Sequence, residues 1–150
     1  LPTQHSIYLY PSTCLFEGTV CSLGRGTDFP FECYGHPQYK GAEFSFTPQS
    51  RAGAKNPPLL GHKCYGVDLR GVDDEAVIAA GFNLEYVIDA YRNLAMGEQF
   101  FTRMFLLLTG VDYVKEMIIA GKSADEIRSR WQTDVEEFKI LRRKYLLYEE

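Results

Sequence analysis

Apolar side chains recur at Leu84, Val87, Ile88, Tyr91 and Leu94. This i, i+3, i+4, i+7, i+10 spacing predicts a helix with one buried stripe, and Asn83 stands just before it as an N-cap candidate. A shorter helix is predicted over residues 100–108, stopping at Gly110. Another is predicted over residues 111–120, with Val114, Met117 and Ile118 inward and Gly121 suited to the C′ position. The last helix is the most fully specified. Ser123 and Glu126 have the spacing of a capping box. Ile127, Trp131, Val135, Phe138, Leu141 and Tyr145 form its expected inward face, with Arg128, Arg130, Glu136, Glu137, Lys139, Arg142, Arg143 and Lys144 mostly outside it.

The first half carries a different period. Residues 43–47 alternate, with Phe44 and Phe46 on one side and Glu43, Ser45 and Thr47 on the other, and Pro48 ends the run. That is a strand with one buried face. Residues 64–69, with Tyr65, Val67 and Leu69, predict a second strand, and residues 6–10, ending at Pro11, a third. Residues 49–61 read as a loop, and Gly35-His36-Pro37 and Gly41 as turns. The expectation is an α+β fold, a strand- and loop-rich half (1–72) packed on a helical half (73–150), forming one domain.

Composition narrows the function classes. The chain has 150 residues, a net charge of −4 and a pI of about 5.4, which argues against a nucleic-acid partner, since phosphate binding needs a basic face. No apolar run approaches the length of a membrane span. Cys14, Cys21, Cys33 and Cys64 fit no zinc spacing and are expected as buried free thiols. His5, His36 and His62 are dispersed, so neither a metal site nor a cofactor is expected. Aromatic residues make up 14% of the chain. They serve cores and sugar platforms alike, and composition does not separate the two. Leu1 is not an initiator methionine, and no basic segment followed by an apolar one comes after it, so the chain reads as a piece of something longer.

The chemistry concentrates in residues 10–32, which hold Glu17, Arg25, Asp28 and Glu32 among hydroxyls, aromatics and turn residues. On composition alone this stretch reads first as a tight connector. Glu17 and Glu32 are candidates for an acid/base pair of glycoside hydrolysis, which needs a set carboxyl separation that sequence spacing does not supply. Glu17, between Phe16 and Gly18, is the better candidate. Arg25 can fork onto a ligand carboxylate or bridge to Asp28 or Glu17. Gly24-Arg25-Gly26-Thr27 lacks the ending of a phosphate-binding P-loop, and Ser12 and Ser22 lack the elbow of a serine hydrolase.

These segments resemble a known family. Tyr10-Pro11-Ser12-Thr13-Cys14-Leu15-Phe16-Glu17-Gly18-Thr19, Gly24-Arg25-Gly26-Thr27 and Pro30-Phe31-Glu32 are similar to the motifs of the exo-β-N-acetylmuramidases (NamZ-like), long known only as a domain of unknown function. The likeness continues through Phe46-Thr47-Pro48, Cys64-Tyr65-Gly66-Val67, Leu107-Leu108-Thr109-Gly110, Trp131 and Arg143-Lys144-Tyr145-Leu146-Leu147-Tyr148. The resemblance implies the C-terminal part of a glycoside hydrolase that releases terminal N-acetylmuramic acid from peptidoglycan fragments. A Rossmann-like N-terminal domain would supply the other wall of the cleft, and the cell envelope, periplasm or exterior would be the place of action.

The resemblance assigns Glu17 as catalytic and Arg25, Thr19, Gly26 and Thr27 as substrate-binding, with Arg25 facing the lactyl carboxylate and Glu32 left to a structural role. The isolated domain is then expected to be inactive. Val20 and Gln38 depart from the family pattern at positions where the family commonly carries Asn and an aromatic residue. Two other readings stay open, a non-catalytic carbohydrate- or partner-binding domain and a structural buttress.

Overall fold

The computed structural model describes residues 1–148; the last two residues of the expected helical half lie outside it. Its helices are α1 (Gln4–Thr13), α2 (Asp74–Ala80), α3 (Glu85–Leu94), α4 (Arg103–Thr109), α5 (Tyr113–Ile119) and α6 (Ala124–Arg142). Its strands are β1 (Cys33–His36), β2 (Phe44–Phe46) and β3 (Cys64–Asp68). The α+β class is as expected, with helices concentrated after residue 73.

The exception is α1, where the sequence predicted a strand over residues 6–10. A cap overrides the β-propensity of Ile7, Tyr8 and Tyr10. Thr3 Oγ1 accepts from the Ser6 amide at 2.9 Å, and the Thr3 amide donates back to Ser6 Oγ at 3.3 Å, which satisfies amides that a helix start otherwise leaves open. Pro11 sits inside the helix and withdraws one amide from the ladder. Burial of Leu9, Ser12 and Thr13 holds the turn around it.

The three strands form one antiparallel sheet in the order β1-β3-β2, with Cys33 opposite Asp68 and Phe46 opposite Cys64. The strands expected over 43–47 and 64–69 are β2 and β3. By contrast, β1 falls where Gly35-His36-Pro37 was read as a turn. Gly35 pairs with Gly66 across the ladder. A Cβ on Gly35 would lie 2.4 Å from the Tyr65 carbonyl oxygen, and one on Gly66 would lie 2.0 Å from that of Tyr34. These glycines mark a close approach of backbones rather than a change of direction. The free edge of β1 takes up Ser22, which exchanges two backbone hydrogen bonds of 2.9 Å with Gly35.

In the helical half, Leu84, Val87, Ile88 and Leu94 are buried as the stripe predicted, and Asn83 Oδ1 accepts from the Glu85 amide at 2.9 Å. Helix α4 starts at Arg103, later than expected. The backbone of residues 100–102 is engaged elsewhere, with the Val20 amide donating to the Phe100 carbonyl at 3.0 Å and the Thr102 amide to that of Gly18 at 2.9 Å. Gly121, at φ 77°, closes α5 as expected. Its amide donates to the Ile118 carbonyl and that of Lys122 to the Met117 carbonyl, the paired bonds of a Schellman motif.

The capping box of α6 is present, with bonds of 2.8 and 3.2 Å between Ser123 and Glu126. Its inward face needs correction. Ile127 is fully buried and Trp131 half-buried, but Val135, Phe138, Leu141 and Tyr145 are 37, 58, 57 and 71% exposed. At 1.5 Å per residue α6 runs about 28 Å, and its buried residues, Ala124 and Ile127, lie at its start. Cys21, Cys33 and Cys64 are buried free thiols, and Cys14, also free, is half-buried.

Candidate functional site

The site begins where α1 tightens into a 3-10 turn over Cys14–Gly18. That turn packs against the start of α4 so closely that a Cβ on Gly18 would lie 2.4 Å from Phe105 Cα. The contact sends Phe16 inward, where it is fully buried and stacks on Tyr34 with ring centroids 4.6 Å apart. Its neighbour Glu17 is left on the open side, with 31% of its side chain exposed.

A second turn brings the base to the acid. Gly24 and Gly26, at φ 79° and 84°, adopt the left-handed backbone that glycine takes without strain. Thr27 closes the turn, its amide and hydroxyl both donating to the Gly24 carbonyl, at 3.0 and 2.7 Å. Arg25 thereby projects beside Glu17 and donates from its Nη1 to Glu17 Oε1 at 2.9 Å.

Gly26 has a further role. The Gln49 amide donates to its carbonyl at 2.9 Å, and a Cβ there would lie 2.5 Å from the Gln49 carbonyl oxygen. The loop that follows β2 is thus laid over the site, and it carries Arg51 to the rim. Arg51 grips both oxygens of Asp28, one of the bonds measuring 3.3 Å. Hydrogen bonding to Arg51, reinforced by its charge, holds the Asp28 carboxyl below the usual carboxylate range.

These elements enclose a pocket of about 570 Å³, within the range of small-molecule sites. Glu17, Arg25, Gly26 and Thr27 line it together with Tyr10, Phe31 and residues 51–54. Four of the five residues singled out in the sequence therefore share one pocket. Thr19 is not among those lining it. Its buried hydroxyl donates to the Phe16 carbonyl at 3.0 Å and accepts from the Cys21 amide at 3.1 Å. Glu32 is buried, accepting from the Thr3 hydroxyl, and does not line the pocket with Glu17. Val20 packs on the core, away from the pocket.

A second cavity, of about 540 Å³, lies under α6 and is lined by Phe82, Tyr113, Arg128 and Trp131 among others, with no carboxylate in its wall. The Glu17 pocket is the one equipped for chemistry. Among the described residues no group of His, Cys, Asp and Glu is placed to hold a metal ion, and no helix is long and apolar enough to cross a membrane.

Residues 8–148 match the family described as exo-β-N-acetylmuramidase NamZ, C-terminal. The chain belongs to that family. It is 31% identical over 160 aligned residues to the peptidoglycan β-N-acetylmuramidase NamZ of Bacillus subtilis (strain 168), covering 99% of this chain and 39% of that protein. The crystal structure of a DUF1343 family protein from Bacteroides fragilis NCTC 9343 superposes with a TM-score of 0.97 at 58% identity, covering 99% of this chain and 42% of that one. The chain thus spans about two fifths of the length of each relative, and the stretch that holds Glu17 and Arg25 falls inside the matched region.

Arg51 and the aromatic pair Tyr10 and Phe31 are among the pocket residues to which sequence reasoning gave no site role. Arg51 had no local signal. It sits in a Gly- and Ala-rich loop, and the contact between Gly26 and Gln49, with its own pairing to Asp28, brings it to the site.

Proposed function

We propose that this domain forms one wall of the substrate cleft of a glycoside hydrolase that removes terminal N-acetylmuramic acid from peptidoglycan fragments. The observation that carries the reading is the Glu17–Arg25 pair, held at the mouth of a sugar-sized pocket in a chain of the NamZ family. Arg25 spends one N–H on Glu17. The rest of its planar fork suits the lactyl carboxylate that distinguishes muramic acid from glucosamine. Glu17 acts at the reacting end, on the sugar hydroxyls or beside the glycosidic bond. Gly26 and Thr27 shape the floor.

Hydrolysis of a glycoside ordinarily takes two carboxyl groups. Glu17 is the carboxylate in the lining of this pocket, so the second belongs to a part of the protein beyond this domain, in keeping with the greater length of the relatives. A Rossmann-like domain across the cleft is the partner this reading requires, and the isolated domain binds without turning over. Its place of action is where peptidoglycan fragments occur, in the envelope, the periplasm or outside the cell. The single carboxylate also favours a second reading, a carbohydrate-binding domain with no chemistry of its own. That reading expects Glu17→Gln to leave turnover unchanged.

The test is to incubate the full-length protein with a chromogenic N-acetylmuramide and with the N-acetylglucosaminide that lacks the lactyl group. Hydrolysis of the muramide alone is expected. Hydrolysis of neither would overturn the enzyme reading, and equal hydrolysis of both would remove the role given to Arg25.

A further inference from the structure

Phe31 adopts φ 69°, a left-handed conformation in which a bulky aromatic residue is a genuine outlier. Neighbours on several sides hold it there. Its amide donates to the Leu23 carbonyl at 2.8 Å, its carbonyl accepts from Thr13 Oγ1 at 3.3 Å, and the next amide, that of Glu32, donates to the Phe29 carbonyl at 3.3 Å. Glycine would meet the same backbone demands without strain. Core packing accounts for only part of the ring, because Phe31 touches the edge of the core but is half-buried. It stands against Tyr10, ring centroids 5.1 Å apart at 51°, and Tyr10 is itself 40% exposed. Both rings line the pocket that holds Glu17 and Arg25. Strain that persists at a ligand-sized cavity is characteristically tied to what the cavity does.

We propose that Phe31 and Tyr10 form an apolar wall on which the terminal pyranose ring lies, while Glu17 and Arg25 take its polar rim; this rests on the glycoside reading above. A pyranose with equatorial substituents presents a face of axial C–H bonds, weakly positive, and an aromatic face is weakly negative. The wall thus sets the tilt of the sugar ring, and the ion pair sets its rotation within that plane. One ring on one wall suits a pocket that takes a chain end rather than a groove that takes a chain interior.

The test measures kcat and KM of the full-length protein for the chromogenic N-acetylmuramide, with the Tm recorded for every variant. Phe31→Gly relieves the backbone and removes the ring. It is expected to raise KM about tenfold at little change in kcat, because a contact made equally in ground and transition states moves KM alone. Phe31→Tyr is expected to keep the wild-type KM, Phe31→Leu to fall between, and Tyr10→Ala to raise KM in the same sense. A lower Tm with unchanged KM in both Phe31→Gly and Tyr10→Ala would overturn the wall and leave the glycoside reading standing. Should Phe31→Gly fail to fold, Tyr10→Ala, which alters an exposed ring, decides the matter alone. A wild-type protein that hydrolyses no muramide would remove the glycoside reading first and the wall with it.

Discussion

Arg25 Nη1 lies 2.9 Å from Glu17 Oε1, and the two side chains keep 40 and 31% of their surface in water. A pair so exposed contributes about 0.2–1 kcal/mol to stability. Arg25→Ala is therefore expected to lower Tm by only about 1–4 °C. On the proposed function, the same change, and Arg25→Lys, which loses the planar fork, are expected to lower kcat/KM of the full-length protein for a muramide about tenfold or more. Thermal denaturation and steady-state kinetics on the same preparations check this. A large loss of Tm with unaltered kinetics would return the pair to a buttressing role.

Gly18 predicts the opposite balance. Its added Cβ would meet Phe105 Cα at 2.4 Å and Phe105 N at 2.5 Å, and backbone atoms yield little. Gly18→Ala is expected to destabilise by about 2–3 kcal/mol or more through overpacking, measured as a shift of the urea midpoint. Gly71, with nothing within 4 Å of a built Cβ, serves as the control, and Gly71→Ala is expected to change stability by less than about 0.5 kcal/mol.

His5 makes stability depend on pH. Its Nδ1 lies 2.5 Å from Asp74 Oδ1 and its Nε2 2.9 Å from the Leu69 carbonyl oxygen. Both partners are acceptors, so the imidazolium is the form that donates to both. Burial pulls its pKa down, but the hydrogen bonds to Asp74 and Leu69 and the charges of Asp74 and Glu32 outweigh that and hold it above the usual 6.5. A pKa raised by folding gives stabilisation that is complete below about 6.5 and is lost as pH rises through the folded value. The Tm difference between wild type and His5→Gln is accordingly expected to be largest at acidic pH and to shrink on the alkaline side. A difference that does not vary with pH would exclude the imidazolium.

Helix α6 separates two kinds of apolar residue on one predicted face. Ile127 is fully buried and Phe138 is 58% exposed. In this chain Ile127→Ala is expected to cost about 2–4 kcal/mol, and Phe138→Ala less than about 0.5 kcal/mol, both read from urea titrations. Equal costs would mean that the outer half of α6 is covered in solution.

These contrasts show what the sequence could and could not convey. The stripe of α3 and the Ser123–Glu126 box of α6 depend on neighbours three or four residues away, and both were legible. An amphipathic pattern marks the apolar face of a helix but not what covers it, so Phe138 and Tyr145 were expected inside. Strand β1 was hidden because Gly35 serves a contact with Tyr65 that only the folded sheet reveals. In the site, Glu17, Arg25, Gly26 and Thr27 come from one short stretch of chain and could be singled out together. Arg51 joins them across a contact with no local trace, and the hydroxyl of Thr19 turns inward to the Phe16 carbonyl and the Cys21 amide.

The sheet order has a consequence for how the chain comes off the ribosome. The last strand to be made, β3, is the central one, so β1, apart from its bridge to Ser22, and β2 have no strand to pair with until residue 68 has emerged. The Glu17 turn waits longer still, since Gly18 and Val20 are tied down by the backbone of residues 100–102. Such long-range closures slow folding relative to local helices. During synthesis, an arrest between residues 70 and 95 would leave the Arg25 turn held by Gln49 but the Glu17 turn without its anchors at residues 100–102.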